Sequence, residues 1–249
     1  LLIGNLFQQL YNMADTFIVG RTIGVQALAA VGSTGSIVFL IIGFATGLTA
    51  GLAIPLAQRF GAKDYKGVKH SFYVSILISI AVAIVLTALS MIFCRQILEI
   101  MQTPSEIIDG AYDYLIVIFG GIFSSMAYNL LSNIFRSIGD AKTPLYFLVM
   151  ACVMNIILDI VFIAVFGMGV EGAGYATVLS QIFSAVACIV YIWKKIPVLR
   201  LTKEDLVATK RNIREHCRIS FPMAFQASII AIGTIMVQIA LNQLGPTSV

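Results

Sequence analysis

The stretch PLYFLVMACVMNIILDIVFIAVFG, residues 144–167, decides the fold. It contains no basic residue and one acid, Asp159. A continuous apolar run of this length can cross a hydrocarbon core of about 30 Å as a helix rising 1.5 Å per residue. Its apolar residues do not alternate with polar ones, which speaks against a strand of a membrane barrel. Holding a carboxylate at membrane depth costs about 3 kcal/mol on insertion scales, and such groups mark ion or substrate pathways.

A second acid is placed the same way. Asp15 lies within LFQQLYNMADTFIVG, residues 6–20. The rest of the chain keeps its charges outside such runs. Of its 249 residues, 59% are hydrophobic and 11% charged, against roughly 25% charged in a soluble domain. A soluble fold of this size could not bury so much apolar surface. The expected class is all-α, a polytopic membrane helical bundle.

Seven spans can be read, at roughly 1–20, 35–58, 71–94, 112–135, 144–167, 172–193 and 219–244. Their connections alternate in charge. Arg59, Lys63, Lys66 and Lys69 follow span 2, Arg136 and Lys142 follow span 4, and eight basic residues from Lys194 to Arg218 follow span 6. The other side has only Arg21 and Arg95, with Glu99, Glu106, Asp109, Asp113 and Glu171. The positive-inside rule places the basic connections and the N-terminus in the cytoplasm. This arrangement also explains the net charge of +4 without a nucleic-acid partner. Cys94, Cys152, Cys188 and Cys217 are scattered and suggest neither a metal site nor a disulfide framework.

Three segments follow from this map. Residues 1–196 form a six-span lobe. Residues 197–217, PVLRLTKEDLVATKRNIREHC, are charged and amphipathic, and are expected to form a linker helix along the cytoplasmic membrane surface. Thr202, with Asp205 three residues later, is its capping signal. Residues 218–249 carry the first helix of a second lobe. Phe7-Gln8 aligns with Phe225-Gln226, and Thr16 with Thr234, as expected if span 7 opens a second, pseudo-symmetric copy. Both ends lie against apolar runs, so a piece of a longer protein is expected.

The polar residues inside spans are the candidate site. Asn5, Gln8, Asn12 and Asp15 share one face of span 1. Asn155 and Asp159 are four apart on span 5. Burial favours the neutral form of a carboxyl, and a second carboxylate nearby favours it further, so such a pair takes up protons in a range useful for coupling. Thr177 and Gln181, four apart on span 6, can complete a polar pocket. The plainer reading of the amides and hydroxyls is interhelical hydrogen bonding. Gly43, Gly47 and Gly51 make a GxxxGxxxG face on span 2, read as a packing surface, with Pro55 expected to bend the helix end. Tyr112 and Tyr114 open span 4 at the level of an interfacial aromatic belt, and Tyr114 is also a candidate partner for the acids.

Enzyme chemistry finds no support. His70 and His216 both lie in connections, and no HExxH, intramembrane GxGD or P-loop is present.

The quoted residues resemble a known family. QQLYNMADTFIVGRTIG with ALAAVG, AQRFGAKD after span 2, RSIGDAKTP after span 4 and NIILDIVFIAVFGMGVEGAGYATVLSQ across spans 5 and 6 together resemble the multidrug and toxic compound extrusion (MATE) transporters. The resemblance implies twelve spans in two lobes. It implies a monomer of the inner (plasma) membrane that exports cationic drugs and other xenobiotics among membrane lipids by alternating access. It implies no cofactor beyond a coupling ion, H⁺ or Na⁺, with a sodium ion at Asp15 and Asp159 as one form of coupling. The family's N-terminal-lobe pattern falls on Asp15, Asn155, Asp159 and Thr177 for coupling. Gln8 and Tyr114 match further positions of it, and Asn12 and Gln181 join them as cavity-lining candidates. Two alternatives stay open: a lipid-linked oligosaccharide flippase of the related superfamily, which the lack of a mid-span Arg or Lys disfavours, and a non-transporting membrane assembly subunit.

Overall fold

The computed structural model describes residues 13, 16–101 and 103–243, with side chains described as far as residue 233. Among them the chain is helical and contains no strand. Span 2 is the helix Val25–Gly61, span 3 is Tyr65–Ile100, span 5 is Lys142–Asp159 and span 6 is Val170–Lys195. Spans 2, 3 and 6 reach past their expected apolar limits at both ends, because helical hydrogen bonding continues into the polar interface, whereas the α-helix of span 5 starts two residues early and stops at Asp159, short of the expected 167. Among the described residues, four helices are long and apolar enough to cross a membrane, and span 4 makes a fifth if its two pieces count as one. The expected span 1 lies largely outside the described residues.

Span 4 departs from a straight crossing. It is two helices, Ile108–Gly120 and Ile122–Ser137, that meet at 47°. Gly121 sits at the joint. A Cβ there would run into the side chain of Val178 on span 6. Close approach of span 6 therefore requires glycine at the bend, a demand that composition alone does not reveal.

The GxxxGxxxG face of span 2 does pack a helix, and its partner is span 7. A Cβ on Gly47 would lie 2.6 Å from the carbonyl oxygen of Met223, and one on Gly51 would lie 2.5 Å from Ser220 Cα. Phe44 and Phe225 add an edge-on ring contact at 5.6 Å. Pro55 sits inside the helix, which continues to Gly61. The Ser75 hydroxyl donates to the Leu52 carbonyl at 3.1 Å, the kind of side-chain bond that supports backbone groups around a proline in a membrane helix.

The linker corrects an expectation. Residues 197–217 do not form one surface helix. They make two short 3₁₀ turns, Pro197–Leu199 and Lys203–Asp205, and from Lys210 the chain runs as one helix through span 7 to Gln243. The extended backbone at Arg200 and Thr202 interrupts any longer helix. The Thr202/Asp205 signal is real, but it closes a 3₁₀ turn.

At the same end of the bundle the loops are tied together. Asp64 and Asp140 each cap the next helix, Asp64 accepting from Gly67 N at 2.9 Å and Asp140 from Thr143 N at 3.0 Å. Gly139, at φ +91°, makes the left-handed turn before Asp140. Lys69 Nζ reaches Asp205 Oδ2 at 3.1 Å, and Arg59 Nη2 reaches Glu215 Oε2 at 2.9 Å. His216 is fully buried among them, and burial lowers its pKa from the ordinary imidazole value. Its Nδ1 lies 2.8 Å from the Asn212 carbonyl, which can only accept, so Nδ1 carries the proton. At the opposite end, Arg95 faces Asp109 and Glu99 at 3.6 and 3.7 Å in exposed pairs that contribute little to stability.

Candidate functional site

Span 5 is polar inside and apolar outside. Met150, Val153, Ile157 and Ile160 are exposed along one face, while Asn155 and Asp159 are fully buried on the other. In a membrane this is the expected polarity, because lipid tails cannot hydrogen-bond a carboxylate or an amide. Both polar atoms of the Asn155 side chain lack a hydrogen-bond partner among the described residues.

The backbone changes form immediately after the acid. Asp159 ends the α-helix, and Ile160–Val165 continues as a π-helix. The Phe166 amide donates to the Val161 carbonyl at 3.0 Å. Gly167, at φ +67°, then reverses the chain toward span 6. Single π turns are frequent at functional positions, and this one adjoins the buried acid.

Span 6 supplies the facing wall. A Cβ on Gly172 would touch Ile163 of the π segment at 3.3 Å, and one on Gly174 would touch Val117 of span 4 at 3.0 Å. Thr177 and Gln181 follow Gly174 along the same helical face. Gln181 Oε1 accepts a hydrogen bond from the Ser125 hydroxyl on the second half of span 4. Ser180 and Ser184 turn to their own backbone, Ser180 Oγ donating to Thr177 O at 2.9 Å and Ser184 Oγ to Ser180 O at 3.1 Å. They fit the packing role expected of membrane hydroxyls.

Tyr114, read as an aromatic-belt residue and a candidate partner of the acids, takes part in helix packing. It is half-buried and packs against a small core of Val19, Ala27, Ile163, Val170 and Ala173. That core joins spans 2, 4, 5 and 6 with the helical stretch 16–22. Tyr114 is therefore close to the segments that follow Asp159 and precede Thr177. Of the candidate residues, Asn155, Asp159, Thr177, Gln181 and Tyr114 lie within spans 4–6, which pack on one another. Asp15, Gln8 and Asn12 lie outside the described residues.

The sequence reading missed Ser125 as a member of this polar face. The available signal was spacing: Ser125, Asn129 and Asn133 recur every four residues. Asn129 Nδ2 donates to the Ser125 carbonyl at 2.9 Å, and Asn133 Nδ2 to Thr49 Oγ1 on span 2 at 3.4 Å. Tyr128 OH anchors the same half-helix to span 5 through the Pro144 carbonyl at 3.0 Å.

The family model described as MatE matches residues 1–161, well over half of the chain. The chain belongs to the MatE family. A curated relative, the probable multidrug resistance protein YpnP of Bacillus subtilis, is 29% identical over 251 residues, covering 98% of this chain and 55% of YpnP. A solved structure, the outward-facing conformation of a multidrug resistance MATE family transporter of the MOP superfamily, superposes with a TM-score of 0.86 at 28% identity, over 94% of this chain and 52% of the transporter. An inward-facing conformation of a multidrug resistance MATE family transporter gives 0.83 at 28% identity, over 90% and 51%. The chain spans about half the length of the curated relatives it matches. As a MatE-family chain built of membrane-length helices, it is a multi-pass membrane protein.

Proposed function

We propose that this chain is the N-terminal lobe, with the start of the second lobe, of a cation-coupled multidrug efflux antiporter that exports organic cations by alternating access. The observation that carries the reading is Asp159, fully buried on the inner face of a membrane helix, one turn after the buried Asn155 and directly before a π-helical turn. A carboxylate, an amide and the Thr177 hydroxyl are oxygen donors that suit a proton or a hard cation alike. Loading Asp159 and Asp15 with either neutralises them, loosens their contacts and lets span 1 shift to release substrate outward. Residues 1–196 act as the first lobe and residues 197–217 as the connection to the second, which opens at 218. The basic loops and the N-terminus face the cytoplasm, and the complete protein works as a monomer in the plasma membrane. MATE multidrug transporters among both the sequence relatives and the structural neighbours support this reading.

The test is drug efflux by cells expressing the complete protein with Asp15→Asn or Asp159→Asn. Each variant should abolish efflux while membrane expression stays at the native level. Normal efflux by both removes the mechanism. Drug-induced proton release from purified protein, against drug-induced sodium release, separates the two coupling ions.

A further inference from the structure

Further along span 6 from Thr177, toward the basic end of the bundle, a groove of about 460 Å³ opens between spans 3, 4 and 6. On span 3 its lining runs from Phe72 to Ala83, a rise of about 16 Å at 1.5 Å per residue. Ala127 of span 4 and Ile192 of span 6 face it, and Leu199 closes it where the linker turns back. Nearly every lining side chain is apolar; among the described residues the one charged member is Arg200. The shape is an apolar slot along the helix axes with a cation at one end.

Arg200 does not stand alone. Its Nη2 donates to the Lys194 carbonyl at 3.1 Å, which holds the guanidinium over the end of span 6 beside Lys194 and Lys195. All three side chains are exposed, and none forms an ion pair among the described residues. Cations at a helix C-terminus complement its dipole. That role uses one donor of the guanidinium and leaves its others, and both ammonium groups, available. Trp193, 72% exposed, lines the same groove, and tryptophan favours the level of lipid headgroups.

In a bilayer this slot faces lipid. A hydrocarbon tail gains little by leaving other tails for an apolar groove, so selective occupancy must come from the headgroup. We propose that the groove is a binding site for one anionic phospholipid, its acyl chain along Phe72–Ala83 and its phosphate at Arg200, Lys194 and Lys195. A basic side chain near the surface favours an anionic headgroup by about fivefold, so three give a preference on the order of a hundredfold. The tail also touches Leu199 and Leu201 of the linker, so the bound lipid braces the linker against spans 3 and 6. The site stands whichever leaflet the basic end meets, and it does not depend on transport.

Trp193 is the reporter. The complete protein is reconstituted in phosphatidylcholine vesicles containing increasing amounts of phosphatidylglycerol with dibrominated acyl chains, or of equally brominated phosphatidylcholine. The Trp193 signal is taken as the difference between the protein and its Trp193→Phe variant. Quenching at far lower mole fractions of the phosphatidylglycerol probe is expected. Replacing Lys194, Lys195 and Arg200 together by Gln should equalise the two probes, whereas Arg200→Lys, which keeps the charge, should retain the preference. Equal quenching in the native protein, no quenching by either probe, or a preference that survives the triple Gln replacement would overturn the site.

Discussion

Gly51 of span 2 meets Ser220 of span 7 so closely that a Cβ on the glycine would lie 2.5 Å from the serine Cα. The obstacle is backbone, which cannot rotate away. Gly51→Ala should therefore separate the two helices and lower stability by about 1–3 kcal/mol, as overpacking does. Gly43→Ala, whose nearest neighbour would be Ala227 O at 3.9 Å, is the matched control and should change little. Thermal unfolding of the purified protein in detergent checks both, and equal melting temperatures would refute the tight packing.

Asn155 should show opposite effects on stability and function. Its buried amide has no partner among the described residues, and an unsatisfied buried group costs about 1–3 kcal/mol. Asn155→Leu keeps roughly the same shape and removes that cost. The variant should melt at the same temperature or higher and lose drug efflux. If the amide were structural glue, stability would fall.

The bend in span 4 should depend on a pair of residues. Gly121→Ala places a methyl against the Val178 side chain. The variant should lose stability and efflux, and Val178→Ala should restore much of both by making room. A double-mutant cycle measures the coupling, expected on the order of 1 kcal/mol for residues in contact. Additive effects would place the strain elsewhere.

Acid should release the linker at Asp205. Its Oδ2 accepts from Thr202 Oγ1 at 2.6 Å, from the Thr202 amide at 2.8 Å and from Lys69 Nζ at 3.1 Å. These bonds, those from Thr202 first, lower its pKa from 3.8 to about 2. A depressed carboxylate contributes stability that is fully present above its unfolded pKa and is lost as pH falls through the folded one. The turn at Lys203–Asp205 should therefore hold at neutral pH and loosen between about pH 4 and pH 2. Hydrogen exchange at the Thr202 amide follows this, and Asp205→Ala, which removes the acceptor, should expose the amide already at pH 7.

How much was legible in advance differs from residue to residue. Asp159 and Asn155 announced themselves because a charge and an amide inside an apolar run must turn away from lipid, whatever the fold. The glycines of span 2 announced a close contact for a similar local reason. Tyr114 was ambiguous, because an aromatic near a span end looks the same whether it faces headgroups or a neighbouring helix. The linker misled. Its amphipathic pattern was read as one helix, but the backbone breaks at Arg200 and Thr202, and Asp205 finds Lys69, which is 136 positions away in the chain.

The sequence by itself determined that the chain crosses a membrane, roughly where it does so, and which polar side chains must be hidden. Those properties follow from the cost of polar groups in hydrocarbon, which each segment meets alone. The tertiary structure decided that span 4 bends at Gly121, that span 7 is the partner of the span 2 glycines, and that Ser125 pairs with Gln181. Each of these depends on which helix lies alongside, and spacing within a segment marks a contact face without naming the residue far along the chain that meets it.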